Sequence, residues 1–229
     1  MKAITFRGVE SLSFDDVPDP ALVDEGDVIV RVTHAGICGS DLHPYFGRER
    51  GLDEGTVMGH ELLGEVVEAG EAVRRWRVGD VVVAPFTTCC GACFYCGIGL
   101  TARCTEGRLF GWVEGGEGLH GGQAELCRVP LADATLVAVP ESLDPAVALL
   151  AGDILSTACF CFDLAEVSEG DAVVVVAVGP VGLLAVLAAL DRGADEVFAV
   201  DLVESRLRTA ERFGAVPLDA GTVDPRAAV

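Results

Sequence analysis

The chain has 229 residues, with 16 Lys and Arg against 36 Asp and Glu, a formal charge of −20, and 51% apolar residues. That apolar content excludes a disordered chain, and with no basic stripe to offset phosphate repulsion the sequence argues against nucleic-acid binding. A single lysine, Lys2, stands beside fifteen arginines, a balance that bears on solubility and not on fold.

The N-terminus has no apolar run before Glu10, Asp15 and Asp16, which argues against a secretory signal and predicts a cytoplasmic chain. Short apolar, β-branched runs predict strands at 27–33, 62–68, 81–84, 125–129 and 135–139, a β-rich first domain over residues 1–150. After Pro140 the pattern changes. A helix is predicted over 144–164, a strand at 173–178, a helix at 183–192, a strand at 196–201, and a helix at 204–213 closed by Gly214. A possible third strand covers 215–218, and 221–229 reads as loop. This alternation is the start of a parallel α/β domain over residues 151–229. The stretch 172–190 has no charge and is long enough to span a bilayer, but Gly179-Pro180-Val181-Gly182 interrupts it. A strand, a glycine turn and a helix are the favoured reading, with no membrane span.

Nine cysteines in such a chain favour metal over disulfides. Cys90, Cys93, Cys96 and Cys104 form C-x2-C-x2-C-x7-C, close enough to surround one tetrahedral Zn²⁺. An iron–sulfur cluster or a redox disulfide pair are the alternatives; structural zinc is favoured. Cys89 is out of phase and reads as a spare thiol. A second constellation joins Cys38, within Gly36-Ile37-Cys38-Gly39-Ser40-Asp41-Leu42-His43, to Gly59-His60-Glu61. Cys and His are the mixed ligands that catalytic zinc accepts.

These motifs, in this order and with Gly179-Pro180-Val181-Gly182, resemble the zinc-dependent medium-chain alcohol dehydrogenase superfamily. Gly152-Asp153-Ile154-Leu155-Ser156-Thr157, Phe94-Tyr95-Cys96, Leu109-Phe110-Gly111 and Gly121-Gly122-Gln123-Ala124-Glu125 are similar to its formaldehyde dehydrogenase and dismutase-like branch. The resemblance implies a GroES-like catalytic domain and a Rossmann-type cofactor domain. It implies two zinc ions per chain: a catalytic one on Cys38, His60 and Asp153, and a structural one on the four-cysteine loop. Asp153 is preferred as third ligand over Cys159 and Cys161. Glu61 would be the acid that can approach the metal, Ser40 the hydroxyl that meets the substrate alcohol, His43 the outer end of the proton relay, and Thr157 a neighbour of the nicotinamide. The implied reaction is hydride transfer between a small alcohol or aldehyde, with formaldehyde or its adduct among the candidates, and NAD.

In the glycine turn, Gly179, Pro180, Val181 and Gly182 open a helix whose N-terminus can hold a pyrophosphate. The first glycine of G-x-G-x-x-G is Ala177 here, which puts the tight turn geometry in question. Asp201 ends the next strand, and an acid there favours NAD over NADP. Arg206, which by resemblance flanks the adenosine, leaves the phosphate tolerable. Family chains continue well past residue 229, so only about half of the cofactor domain is expected. An incomplete chain or a truncated gene product is favoured over a short form completed by a partner; a non-catalytic zinc-binding remnant is the alternative function. Full-length relatives are expected to be homo-oligomers, but the strand through which they commonly pair is absent from this chain.

Overall fold

The computed structural model describes residues 1–229, which divide into two units, Met1–Gly152 and Asp153–Val229. The first begins with an antiparallel hairpin, β1 (Lys2–Gly8) and β2 (Ser11–Asp16), that the sequence reading did not include. It continues through β3 (Val28–Ala35), β4 (Leu62–Ala69), β5 (Val81–Ala84), β6 (Trp112–Glu114), β7 (Glu117–Leu119), β8 (Leu126–Val129) and β9 (Val137–Ala138). The main sheet has the order β8-β3-β4-β5-β9, and every neighbouring pair is antiparallel. β6 and β7 form a separate hairpin.

The period-2 alternation of side chains makes this sheet two-sided. Leu62 packs with Val28, Val30, Val66, Val82, Val129, Trp76 and Phe110 in one core. The next residue, Leu63, joins Val83, Ala148 and Leu149 in another. Each such side chain contributes about 1.5–3 kcal/mol on full burial. Trp76 meets its polar requirement by donating Nε1–H to the Ala132 carbonyl at 2.8 Å.

Two predicted elements are corrected. The strand expected at 135–139 is a helical turn, Ala132–Thr135, followed by the short β9. Thr135 is withdrawn from the sheet because its buried hydroxyl accepts the Cys89 N–H at 3.0 Å. The helix expected over 144–164 is two helices, Pro145–Leu149 and Ile154–Leu164. Asp144 caps the first by accepting the Ala146 N–H, with Pro145 in its first turn. Gly152 then passes so near the end of β5 that a Cβ on it would lie 2.5 Å from the Ala84 carbonyl oxygen. Gly152, a poor helix former, and the non-helical φ −136°, ψ −72° of Asp153 break the helix.

The second unit carries a parallel sheet, β10 (Ala172–Val176), β11 (Glu196–Asp201) and β12 (Val216–Asp219), in that order. The helices Pro180–Asp191 and Glu204–Arg212 connect the strands. Val173, Val175, Val186, Ala189, Val197 and Leu207 are among its core residues. The uncharged stretch 172–190 thus divides into β10, a turn and a helix, and no helix of the chain is long and apolar enough to cross a membrane. The predicted terminal loop contains a one-turn helix, Pro225–Ala228, capped by Asp224.

Candidate functional site

The thiols of Cys90, Cys93, Cys96 and Cys104 lie within 4.8 Å of one another. Tight turns aim backbone N–H groups at the sulfurs: Cys90 N–H donates to Cys104 Sγ at 3.2 Å, Cys93 N–H to Cys90 Sγ at 3.3 Å, and Glu106 N–H to Cys104 Sγ at 3.4 Å. Such donors favour thiolate over thiol. The backbone N–H groups of Cys96 and Thr105 draw Cys93 down to about 6, and those of Ala92 and Cys93 lower Cys90. Burial, followed by the hydrogen bond with Cys93, pushes Cys96 up to about 12. Four sulfurs with this N–H set fit a tetrahedral, thiophilic metal such as zinc. Cys89 lies outside the group; its thiol donates to the Ala134 carbonyl at 3.2 Å, and burial raises its pKa.

The second group arises from sheet topology. Antiparallel pairing sets Ala35, at the end of β3, against Leu62, at the start of β4. It also sets Leu62 against Ala84, at the end of β5. Cys38 follows the first of these ends, His60 and Glu61 precede the second, and the chain at Gly152 lies against the third. Asp153 is the next residue. The ligand atoms of Cys38, His60, Glu61 and Asp153 lie within 4.8 Å of one another. His60 and Glu61 are buried, Cys38 and Asp153 half-buried. A thiol, an imidazole and two carboxylates are a donor set that fits zinc.

One residue of this site was missed. Asp41 Oδ1 lies 3.2 Å from His60 Nδ1, and its Oδ2 accepts the Cys38 N–H at 3.0 Å. A carboxylate on one ring nitrogen orients a histidine and directs the other, Nε2, to a metal. Asp41 stands three residues after Cys38, within the Gly36–His43 motif, where the sequence analysis gave it no role. Ser40 Oγ is 3.4 Å from His60 Nε2. His43 is exposed in the turn of helix Leu42–Tyr45. Behind His60 the backbone is wedged. Residues 57–59 pair with 121–123, and a Cβ on Gly121 would lie 2.1 Å from the Gly59 carbonyl oxygen.

In the second unit, Thr157 donates its hydroxyl to Asp153 Oδ1 at 3.1 Å. Cys159 is half-buried beside that unit's core and Cys161 is exposed; neither joins a potential ligand group. At the glycine turn, Ala177 takes the left-handed φ of +70°. The turn that a glycine would form is therefore made by alanine, at a cost in strain. Ala177 N–H donates to the Val200 carbonyl at 2.8 Å, which holds the residue there. Gly182 is required by close approach: a Cβ on it would lie 2.3 Å from the Ala177 carbonyl oxygen. Gly179 caps the helix and Pro180 occupies its first turn, with Val181 partly exposed beside it. Asp201 accepts N–H groups from Val178 at 2.8 Å, Leu202 at 2.7 Å and Val203 at 2.9 Å. Arg206 approaches it at 3.6 Å. Burial pushes the Asp201 carboxyl up, but these donors outweigh it and hold the group below its ordinary value. Asp201 is thus also the residue that ties the turn after β10 to the end of β11.

Residues 24–141 match the alcohol dehydrogenase GroES-like domain. The medium chain reductase/dehydrogenase ucsI of Acremonium is 45% identical over 225 residues, which are 96% of this chain and 76% of that protein. Zinc-type alcohol dehydrogenase B of Aspergillus flavus is 41% identical over 224 residues, 95% of this chain and 51% of that protein. Among solved structures, the alcohol dehydrogenase TADH from Thermus sp. ATN1 superposes with a TM-score of 0.95 at 39% identity, covering 100% of this chain and 66% of that one. The chain thus spans between about half and three quarters of the length of these relatives.

Proposed function

Because this chain belongs to the zinc-type medium-chain alcohol dehydrogenase superfamily, we propose that it transfers hydride between a small alcohol or aldehyde and NAD. Cys38, His60 and Asp153 hold a catalytic zinc in this reading, with Glu61 beside it, and Cys90, Cys93, Cys96 and Cys104 hold a structural zinc. The observation that carries it is the grouping of Cys38, His60, Glu61 and Asp153, with His60 oriented by Asp41. When bound, zinc supplies a Lewis acid that acidifies a substrate hydroxyl, and NAD supplies the hydride acceptor.

The chain's own residues do the rest. Ser40 Oγ, beside His60, accepts the substrate hydroxyl proton. His43, exposed three residues on, exchanges it with solvent. The N-terminus of helix Pro180–Asp191, at Gly179 to Gly182, holds the pyrophosphate. Thr157 lies near the nicotinamide. The Asp201 carboxylate takes the adenosine ribose with the lone pair that its three N–H partners leave. It repels a 2′-phosphate, which favours NAD, while Arg206 at 3.6 Å softens the discrimination. Formaldehyde or its adduct is the substrate to try first, and the cytoplasm, where thiols stay reduced, is the compartment.

Metal analysis should find two zinc ions per chain. NADH formation with formaldehyde or short alcohols should be lost in Cys38→Ser and Asp153→Ala, with one zinc retained. Two bound zinc ions without NAD binding would remove the oxidoreductase assignment for this 229-residue form.

A further inference from the structure

Gln123 supports the second ligand group but has no part in the function above. Its backbone is fixed on both sides: the N–H donates to the Met58 carbonyl at 2.8 Å, and the carbonyl accepts the Ile4 N–H at 2.8 Å. Its stem fills the space left by Gly59, where a Cβ would lie 2.4 Å from Gln123 Cγ. The side-chain Nε2 donates to the Gly36 carbonyl at 3.1 Å and to Asp41 Oδ2 at 3.2 Å. Both neighbours are acceptors only, so the amide nitrogen must face them.

Those two acceptors are the points from which the ligands are set. Asp41 holds the Cys38 N–H on one oxygen and faces the His60 ring with the other. Gly36 is the floor on which Glu61 rests; a Cβ there would lie 2.2 Å from Glu61 Oε2. We propose that Gln123 is a positioning residue, whose amide ties Asp41 to the Gly36 carbonyl and so fixes Cys38, His60 and Glu61 in the arrangement that receives a divalent metal. The proposal rests on the reading that this group holds a metal.

Two variants of the full chain separate hydrogen bonding from packing. Gln123→Met keeps the unbranched stem against Gly59 and removes both donors. Gln123→Glu keeps the shape and sets a carboxylate against Asp41 and the Gly36 carbonyl. Zinc affinity is measured by competition with a chelator, and ligand geometry by the visible bands of the Co²⁺-loaded protein, with the four-cysteine site as internal reference. The expected result is a second-site affinity lower by about 10–100-fold in Gln123→Met, and lower still in Gln123→Glu. Shifted Co²⁺ bands and an unchanged four-cysteine site should accompany it. Wild-type affinity and bands in both variants overturn the proposal, as does a lower melting temperature with unchanged affinity, which assigns Gln123 to packing alone. If Gln123→Glu does not fold, Gln123→Met decides. Wild-type protein that loads only the four-cysteine site refutes the metal reading itself, and the proposal with it.

Discussion

Replacing Ala177 by glycine should make the protein more stable, against the usual sign of such a change. Ala177 sits at φ +70°, where the Cβ of an L-residue crowds the following carbonyl oxygen at a cost of about 1–2 kcal/mol. Three contacts prevent relaxation: its N–H is held by Val200, the next N–H by Asp201, and its carbonyl lies against Gly182. Glycine removes the strain but gives the unfolded chain more freedom, which returns about 0.4–1 kcal/mol. Taking the middle of each range, the net gain is about 0.8 kcal/mol. The second unit, Asp153–Val229, carries the turn. For a domain of that size the gain raises the melting temperature by about 2–8 °C. Calorimetry of the two proteins at one pH and metal content is the assay, and Ala177→Val, β-branched at the same φ, should shift the transition the other way. An unchanged or lower melting temperature in Ala177→Gly would refute the idea that this turn stores strain.

Gly182→Ala should cost about 3 kcal/mol, since the new Cβ would lie 2.3 Å from a backbone oxygen; a denaturant midpoint equal to wild type would contradict it. Asp41→Ala should weaken metal binding at the second group by about 10–100-fold, read by chelator competition. Cys93→Ser should remove one zinc per chain and open the loop around Cys90–Cys104 to protease, as metal analysis and limited proteolysis would show. Hydrogen bonds from Thr5, Ser13 and Arg7 hold Asp15 down to about 2. Its depressed folded-state pKa means that its support of the β1–β2 hairpin is complete above the unfolded value of about 3.9 and is lost as pH falls toward 2. Asp15→Asn should remove that part of the acid titration, and an NMR pH titration of the hairpin amides tests it.

Local features were the most legible. The grouping of four cysteines could be read from spacing because all lie within one loop. The strand at Val81–Ala84 follows from its three consecutive valines, and that at Glu196–Asp201 from the apolar Val-Phe-Ala-Val run between two acids. Less legible was whatever a distant segment imposes. Gly152 is a local stop signal hidden by the apolar runs on either side of it, and the Ala84 carbonyl, on another strand, is what requires a glycine there, since a Cβ would lie 2.5 Å from it. Thr135 has the propensity of a strand residue, but a hydrogen bond to the Cys89 backbone takes it out of the sheet. The β1–β2 hairpin went unread because polar residues interrupt its apolar ones, Ala3, Ile4 and Phe6 in β1 and Leu12 and Phe14 in β2, and leave no long apolar run. Asp41 and Gln123 stand in motifs that the sequence displays, but their roles were not legible, because their contacts with His60 and Gly36 exist only once the chain has folded.

The wedge behind His60 bears on how such a site changes over generations. Where the Gly59 and Gly121 backbones touch, no side chain stands between them, so the fit there is one of backbone against backbone. The place of the imidazole is thus set by backbone against backbone, and its orientation by Asp41 and Gln123, so change is felt at the glycines through position and at those two side chains through orientation.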